Sequence, residues 1–165
     1  MLLTSSDSTY LVIGYGNTLR SDDGAGYLIA ETVANWNLAH VQSLALHQLT
    51  PDLAEPIAHS QVVIFVDAVA KPVNTPAAIV LEQLEPNYAT TFTGHYADPR
   101  SLLSLTYTLY ETSPIAYRLL IPAINFSFGE SLSAVTQASM SLALAKIEQL
   151  LCVSCVAEKP LKPYC

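Results

Sequence analysis

Thirteen residues, Gly14-Tyr15-Gly16-Asn17-Thr18-Leu19-Arg20-Ser21-Asp22-Asp23-Gly24-Ala25-Gly26, gather two carboxylates, an amide and four glycines. Glycine lets a backbone reach positive φ and come close to a ligand, while Asn17, Asp22 and Asp23 supply polar atoms. Asp67 follows the apolar run Val62-Val63-Ile64-Phe65-Val66, and His95 sits in Gly94-His95 just before Asp98-Pro99. Two carboxylates and an imidazole from three separate loops would make an oxygen-rich, three-ligand site with open positions. Such a set suits zinc or nickel, and without a thiolate it binds exchangeably. Each residue also has a purely structural use. Asp22-Asp23 suits the N-terminus of a following helix, where a capping group contributes about 0.5–2 kcal/mol. Asp67 suits the turn hydrogen bonds of a strand end, and His95 taken alone reads as a loop histidine. Residue types leave both readings open.

For the metal reading to hold, the intervening elements must return these loops to one rim. Tyr10-Leu11-Val12-Ile13 is an apolar run of the kind expected of a buried strand, and Ala25 to Val33 supports a helix. Val41 to Gln48 alternates weakly as a second strand, bringing His47 towards its end. Thr50-Pro51 reads as an N-cap with proline at the first helical position, opening a helix through Ile57. Val62 to Val66 is β-branched and apolar without alternation, which predicts a strand buried on both faces and ending at Asp67. Ala78 to Leu84 reads as a strand towards the sheet edge. Asp98-Pro99 opens a helix to about Tyr110, Ala116 to Ile121 is a further strand ended by Pro122, and Ser131 caps a last helix to about Leu151. This alternation predicts an α/β fold: a three-layer αβα sandwich on a largely parallel sheet of about five strands. In such a sheet the loops leaving the carboxyl ends share one rim, where open α/β folds place ligands. The 165 residues, 51% apolar, are enough for one domain, with 153–165 expected to be a loosely ordered tail.

Fourteen acidic residues against seven basic ones give a net charge of −7 with no basic stripe, which disfavours nucleic acid and anionic membranes as partners. No leader-like amino terminus precedes the first strand and no apolar run approaches the roughly 20 residues that span a bilayer, so a cytoplasmic protein is expected. Cys152, Cys155 and Cys165 all lie near the carboxyl end, with neither the second pair of a zinc ribbon nor the strand-to-helix context of a redox Cys-x-x-Cys. Gly14 to Leu19 imitates a dinucleotide fingerprint, but Leu19 takes the place of its third glycine. There is no Gly-Lys-Ser/Thr phosphate loop and no Gly-x-Ser-x-Gly elbow, so acyl-enzyme chemistry has no nucleophile.

Ile13 to Gly26, together with Phe65-Val66-Asp67-Ala68, Gly94-His95 before a helix and Leu120-Ile121-Pro122-Ala123, closely resembles the [NiFe]-hydrogenase maturation endopeptidases. The resemblance extends over nearly the whole chain up to Leu151. It implies a cytosolic protease that removes a short C-terminal extension from the hydrogenase large-subunit precursor once nickel is in place. It carries the family's metal ligands onto Asp23, Asp67 and His95, and makes Asp22 the aspartate beside the ligand and a candidate proton acceptor. Asn17 matches a loop-shaping motif position near the substrate. The nickel arrives with the substrate, and other divalent ions would substitute in the isolated protein. Where many members carry Asp-x-Gly-Thr, this chain has His47-Gln48-Leu49-Thr50, with only Thr50 matching. That form looks like the branch serving the bidirectional, NAD(P)-coupled hydrogenase, and the segment is implicated in substrate choice. Two other functions fit the same loop: a nonenzymatic nucleotide-binding module, and a nickel chaperone that binds the large subunit without shortening it.

Overall fold

The computed structural model describes residues 9–86 and 98–156, with side chains as far as Leu151. Five strands form one sheet in the order β2-β1-β3-β5-β4: β1 (Tyr10–Tyr15), β2 (Val41–Leu46), β3 (Val62–Ala70), β4 (Val80–Leu84) and β5 (Ile115–Ala123). All neighbours are parallel except the edge pair β4 and β5. Helices α1 (Ala25–Ala34) and α4 (Ala134–Val156) cover one face, and α2 (Ala54–Ala58) and α3 (Pro99–Tyr110) the other. The expected three-layer α/β architecture is therefore the one observed.

Alternation along the strands explains the two cores. Tyr10, Val12, Ile64, Val66, Leu119 and Ile121 face α1 and α4, where they meet Ile29, Val33 and Ile147. Leu11, Ile13, Val63, Phe65 and Ala116 turn the other way onto Leu53, Ile57, Leu102 and Leu103. Since side chains point alternately to opposite faces, an apolar run such as Val62 to Val66 is what a strand covered on both sides requires.

Several boundaries differ from the sequence expectation, each for a tertiary reason. β3 does not stop at Asp67 but runs to Ala70, because β5 keeps pairing with it as far as Ala70 and Ala123 while β1 stops at Gly14 and Val66. β5 likewise runs through Pro122: β4 begins pairing only at Leu120, so the proline lies where that side of β5 has no strand to bond. α4 starts at Ala134, not after Ser131, because Ser133 is the residue whose Oγ accepts from Thr136 N at 3.3 Å. It is helical to Val156, so part of the expected tail belongs to the helix. β2 ends at Leu46 and leaves His47 beyond the strand. Asp98 caps α3 as expected, accepting from Arg100 N at 3.2 Å. Among the described residues no helix is long and apolar enough to cross a membrane.

Candidate metal and catalytic site

The sheet order creates one crevice. From β1 the chain turns through α1 to β2 on one side, whereas β3 leads on to the β4 and β5 side. The carboxyl ends of β1 and β3 therefore send their loops in opposite directions, and at such a switch point a cleft opens. Close packing of α1 on the sheet brings the glycine-rich loop to this place. A Cβ on Gly14 would lie 1.9 Å from the carbonyl oxygen of Gly26, and one on Gly26 would lie 2.4 Å from that of Val66. Only hydrogen at these two positions lets the start of α1 rest directly over the ends of β1 and β3.

Ser21–Gly24 is a 3-10 turn leading into α1, and it delivers Asp23 to the crevice. Asp23 is half-buried, and its Oδ2 accepts from Asn17 N at 3.1 Å. Asn17 shapes the same loop twice more, its Oδ1 accepting from Leu19 N and its carbonyl from Arg20 N. Across the crevice, Asp67 follows the last β1–β3 pair, Gly14 and Val66, on the face that also carries Phe65. Its Oδ2 accepts from the hydroxyl of Tyr15 at 3.0 Å. Burial raises the pKa of Asp67, and the negative charge of Asp23 adds to that rise against the Tyr15 bond, the Ala68 amide and the positive charge of Arg118. The Tyr15 hydroxyl is pushed far up, first by burial and then by the charge and hydrogen bond of Asp67, so it stays a proton donor.

Arg118 lies behind this pair on β5, registered opposite Phe65. Its guanidinium bonds Glu82 of β4, through Nε at 2.6 Å, and reaches Asp98 at 3.9 Å. Asp98, the N-cap of α3, is thus tied to the same rim.

Asp22 points the other way. It is fully buried, and Oδ2 accepts from Ile124 N at 2.9 Å, Asn125 N at 2.9 Å and Ser133 Oγ at 2.8 Å, while Oδ1 accepts from Ser133 N at 2.7 Å. Burial alone would raise its pKa, but these amides and the hydroxyl outweigh it and hold the carboxylate ionised below its usual range. The backbone continues the seam: Ser21, at φ 51°, donates to Gly129 O, Asp22 N to Asn125 O, and Gly129 N to Leu19 O. Asp22 therefore locks the 17–24 loop to the 124–133 loop, with its lone pairs engaged by that seam. The irregular stretch after β5 thus supports the loop that carries Asp23.

The remaining candidates divide between rim and core. His47 is exposed on the same rim and stacks on Tyr27 of α1, with ring centroids 5.5 Å apart and 20° between planes. Gln48 is exposed and Thr50 half-buried, but Leu49 is buried in the core between sheet and α2. His95 lies outside the described residues. Among those described, no group of three His, Cys, Asp or Glu side chains is placed to hold an ion. His40 packs edge-on against Tyr10, and His59 Nδ1 donates to Glu55 O, both at the opposite, amino-terminal end of the sheet. Tyr15 and Arg118 are the residues that the sequence did not single out. For Tyr15 a signal existed, since Leu11, Ile13 and Tyr15 alternate onto one face.

No protein-family model matches the chain, and no curated protein matches it. Solved structures do. The hydrogenase maturating endopeptidase HybD from E. coli superposes with a TM-score of 0.71 at 20% identity, covering 88% of this chain and 93% of that one. The [NiFe] hydrogenase maturation protease HybD from Thermococcus kodakarensis gives 0.69 at 22% identity, covering 87% and 99%. HycI, a [NiFe] hydrogenase maturation protease from Thermococcus kodakarensis, gives 0.65 at 18%, covering 87% and 92%. This chain has their fold. At such identities the likeness speaks for the arrangement of elements, and the chemistry rests on the residues in the crevice.

Proposed function

We propose that this chain is an endopeptidase that removes the C-terminal extension of a [NiFe]-hydrogenase large-subunit precursor after nickel insertion. What supports the proposal is a fold shared with solved hydrogenase maturation proteases, with Asp23 and Asp67 leaving the carboxyl ends of the adjacent strands β1 and β3 near enough for the charge of Asp23 to add to the raised pKa of Asp67. A half-buried pair of mutually repelling carboxylates fits a divalent cation, because an ion between them converts the repulsion into attraction. Arg118, whose positive charge acts on Asp67, is already engaged by Glu82 and Asp98. His95 is the third ligand in this reading: three peptide units separate it from Asp98, a span of at most about 11 Å. The ion belongs to the substrate, whose cysteine thiolates outrank oxygen ligands for nickel. Asp23, Asp67 and His95 complete a coordination sphere that the precursor brings.

Once held there, the metal supplies Lewis-acid polarisation of the scissile carbonyl or of an attacking water. The chain's own residues do the rest. Asp23 and Asp67 orient the loaded precursor, and the seam through Asp22 keeps the 17–24 loop fastened to the 124–133 loop. A proton released on attack passes to a ligand carboxylate rather than to Asp22, whose two oxygens already accept four hydrogen bonds. Exposed His47 and Gln48, beside the rim, read the precursor's surface and direct the enzyme to the large subunit of a bidirectional, NAD(P)-coupled hydrogenase in the cytoplasm.

The test uses Asp23→Asn, Asp67→Asn and His95→Gln proteins with nickel-loaded precursor, followed by mass spectrometry. Each is expected to fold and to leave the precursor full-length. Normal trimming by all three refutes the site. Equal trimming of nickel-free precursor by the wild type refutes metal recognition, and tight binding without shortening marks a chaperone.

A further inference from the structure

Both carboxylates of the crevice have one oxygen already taken, and both donors come from the same short stretch of chain. Tyr15 Oη donates to Oδ2 of Asp67 at 3.0 Å, and Asn17 N donates to Oδ2 of Asp23 at 3.1 Å. The tyrosine ring packs against the core shared by Leu11, Ile13 and Phe65, so its hydroxyl is carried on a ring with little freedom to move. It emerges where β1 leaves β3, one position beyond the pair Gly14 and Val66. A donor fixed on one strand thus grips a carboxylate on its neighbour.

We infer that Tyr15 is a positioning residue that holds Asp67 as a one-oxygen ligand, presenting its other oxygen to a divalent cation. The inference rests on the metal reading given above and deepens it. A free aspartate can rotate about χ2 and offer either oxygen or both, whereas a carboxylate hydrogen-bonded by Tyr15 through Oδ2, and held by the Ala68 amide as well, keeps one orientation towards the ion. Groups that orient a ligand in this way carry a factor of about 10–100 in metal affinity. Asp23 is held alike by the Asn17 amide, so Tyr15 to Asn17 aligns both acidic ligands from one segment. Gly16, at φ 144°, makes this possible: a Cβ there would lie 1.9 Å from the carbonyl of Asp23.

The experiment measures Ni²⁺ binding to the purified full chain by calorimetry for wild type, Tyr15→Phe and Asp67→Asn, with the urea midpoint of each metal-free protein alongside. Nickel K-edge absorption on the loaded proteins reads the number of carboxylate oxygens. Tyr15→Phe keeps the ring and is expected to lower affinity by about 10–100-fold, with Asp67 turning bidentate, while Asp67→Asn loses saturable binding. A merely structural tyrosine would shift the urea midpoint and leave affinity and coordination unchanged. Tyr15→Phe binding nickel like the wild type, while Asp67→Asn does not bind, overturns the positioning role and leaves the metal site standing. No saturable binding by the wild type, or equal binding by wild type and Asp67→Asn, overturns both.

Discussion

Replacing Asp22 should unfasten the two loops on which the crevice depends. In the native protein its carboxylate receives three backbone amides and one hydroxyl while fully buried. Asp22→Ala strands the amides of Ile124, Asn125 and Ser133, and each buried donor left unsatisfied costs about 1–3 kcal/mol. Partial relaxation and entry of water make the three less than additive, so a loss of about 3–5 kcal/mol is expected, the range seen when one partner of a buried charged network is removed. Asp22→Asn can keep its oxygen at the Oδ2 place, where three donors converge, and turns only its NH₂ towards Ser133 N. It should lose about 1–3 kcal/mol. For a chain of this size each kcal/mol moves the melting temperature by roughly 2–4 °C, so the alanine variant should melt some 6–20 °C lower. Urea unfolding at pH 7 measures the loss, and amide exchange at Ile124, Asn125 and Ser133 locates it. The pH dependence has a definite sign. The folded-state pKa of Asp22 lies below the unfolded value, so its contribution is complete above the ordinary carboxylate pKa of about 3.9 and is lost as the pH falls through the folded-state value. The gap between wild type and Asp22→Ala should therefore narrow in acid. Asp67, whose shift has the opposite sign, is present in both proteins and cancels from the difference. An alanine variant within 1 kcal/mol of wild type by the linear-extrapolation assay would refute the seam.

Gly14→Ala should separate α1 from β1, since the new Cβ would lie 1.9 Å from Gly26 O and 2.7 Å from the Ala30 Cβ. A thermal melt is expected to report about 1–3 kcal/mol or more of overpacking, and nickel titration a loss of binding as the loop carrying Asp23 moves; an unchanged melt contradicts the packing argument. His47→Ala removes an exposed ring stacked on Tyr27, so stability should stay within about 0.5 kcal/mol while KM for the precursor rises with kcat unchanged. Steady-state trimming kinetics check this, and an unchanged KM removes His47 from recognition.

The order and type of elements could be read from local pattern because each strand is covered and each helix must bury a face. What local pattern could not supply was which partner continues to bond. Asp67 looked like a strand terminus because the apolar run ends there, yet β3 goes on for as long as β5 accompanies it. Ser131 and Ser133 are equal candidates for a cap by type, and the choice falls to Ser133, which Asp22 holds from 111 residues away. The resemblance places Leu49 in the segment implicated in substrate choice, but Leu49, Leu53 and Ile57 recur every four residues and share one core. That spacing was visible beforehand and argued for burial. His47 and Gln48, its neighbours, remain outside.

The adjacent pair Asp22-Asp23 shows how one turn separates two tasks. Read as residue types, the pair suited either a helix cap or a metal, but the α1 N-cap is Gly24, with no side-chain hydrogen bond to the helix amides. In a 3-10 turn successive side chains diverge by about 120°, so neighbours cannot share a direction. Asp22 goes inward to the loop after β5 and Asp23 to the crevice beside Asn17. The separation has an electrostatic consequence. Four donors hold the Asp22 charge in place, and the Asp67 pKa is raised first by burial, with the charge of Asp23 adding to the rise. A cation would relieve the opposition of the two charges, whereas a third carboxylate pointed into the same space would have driven one of the three to bind a proton instead.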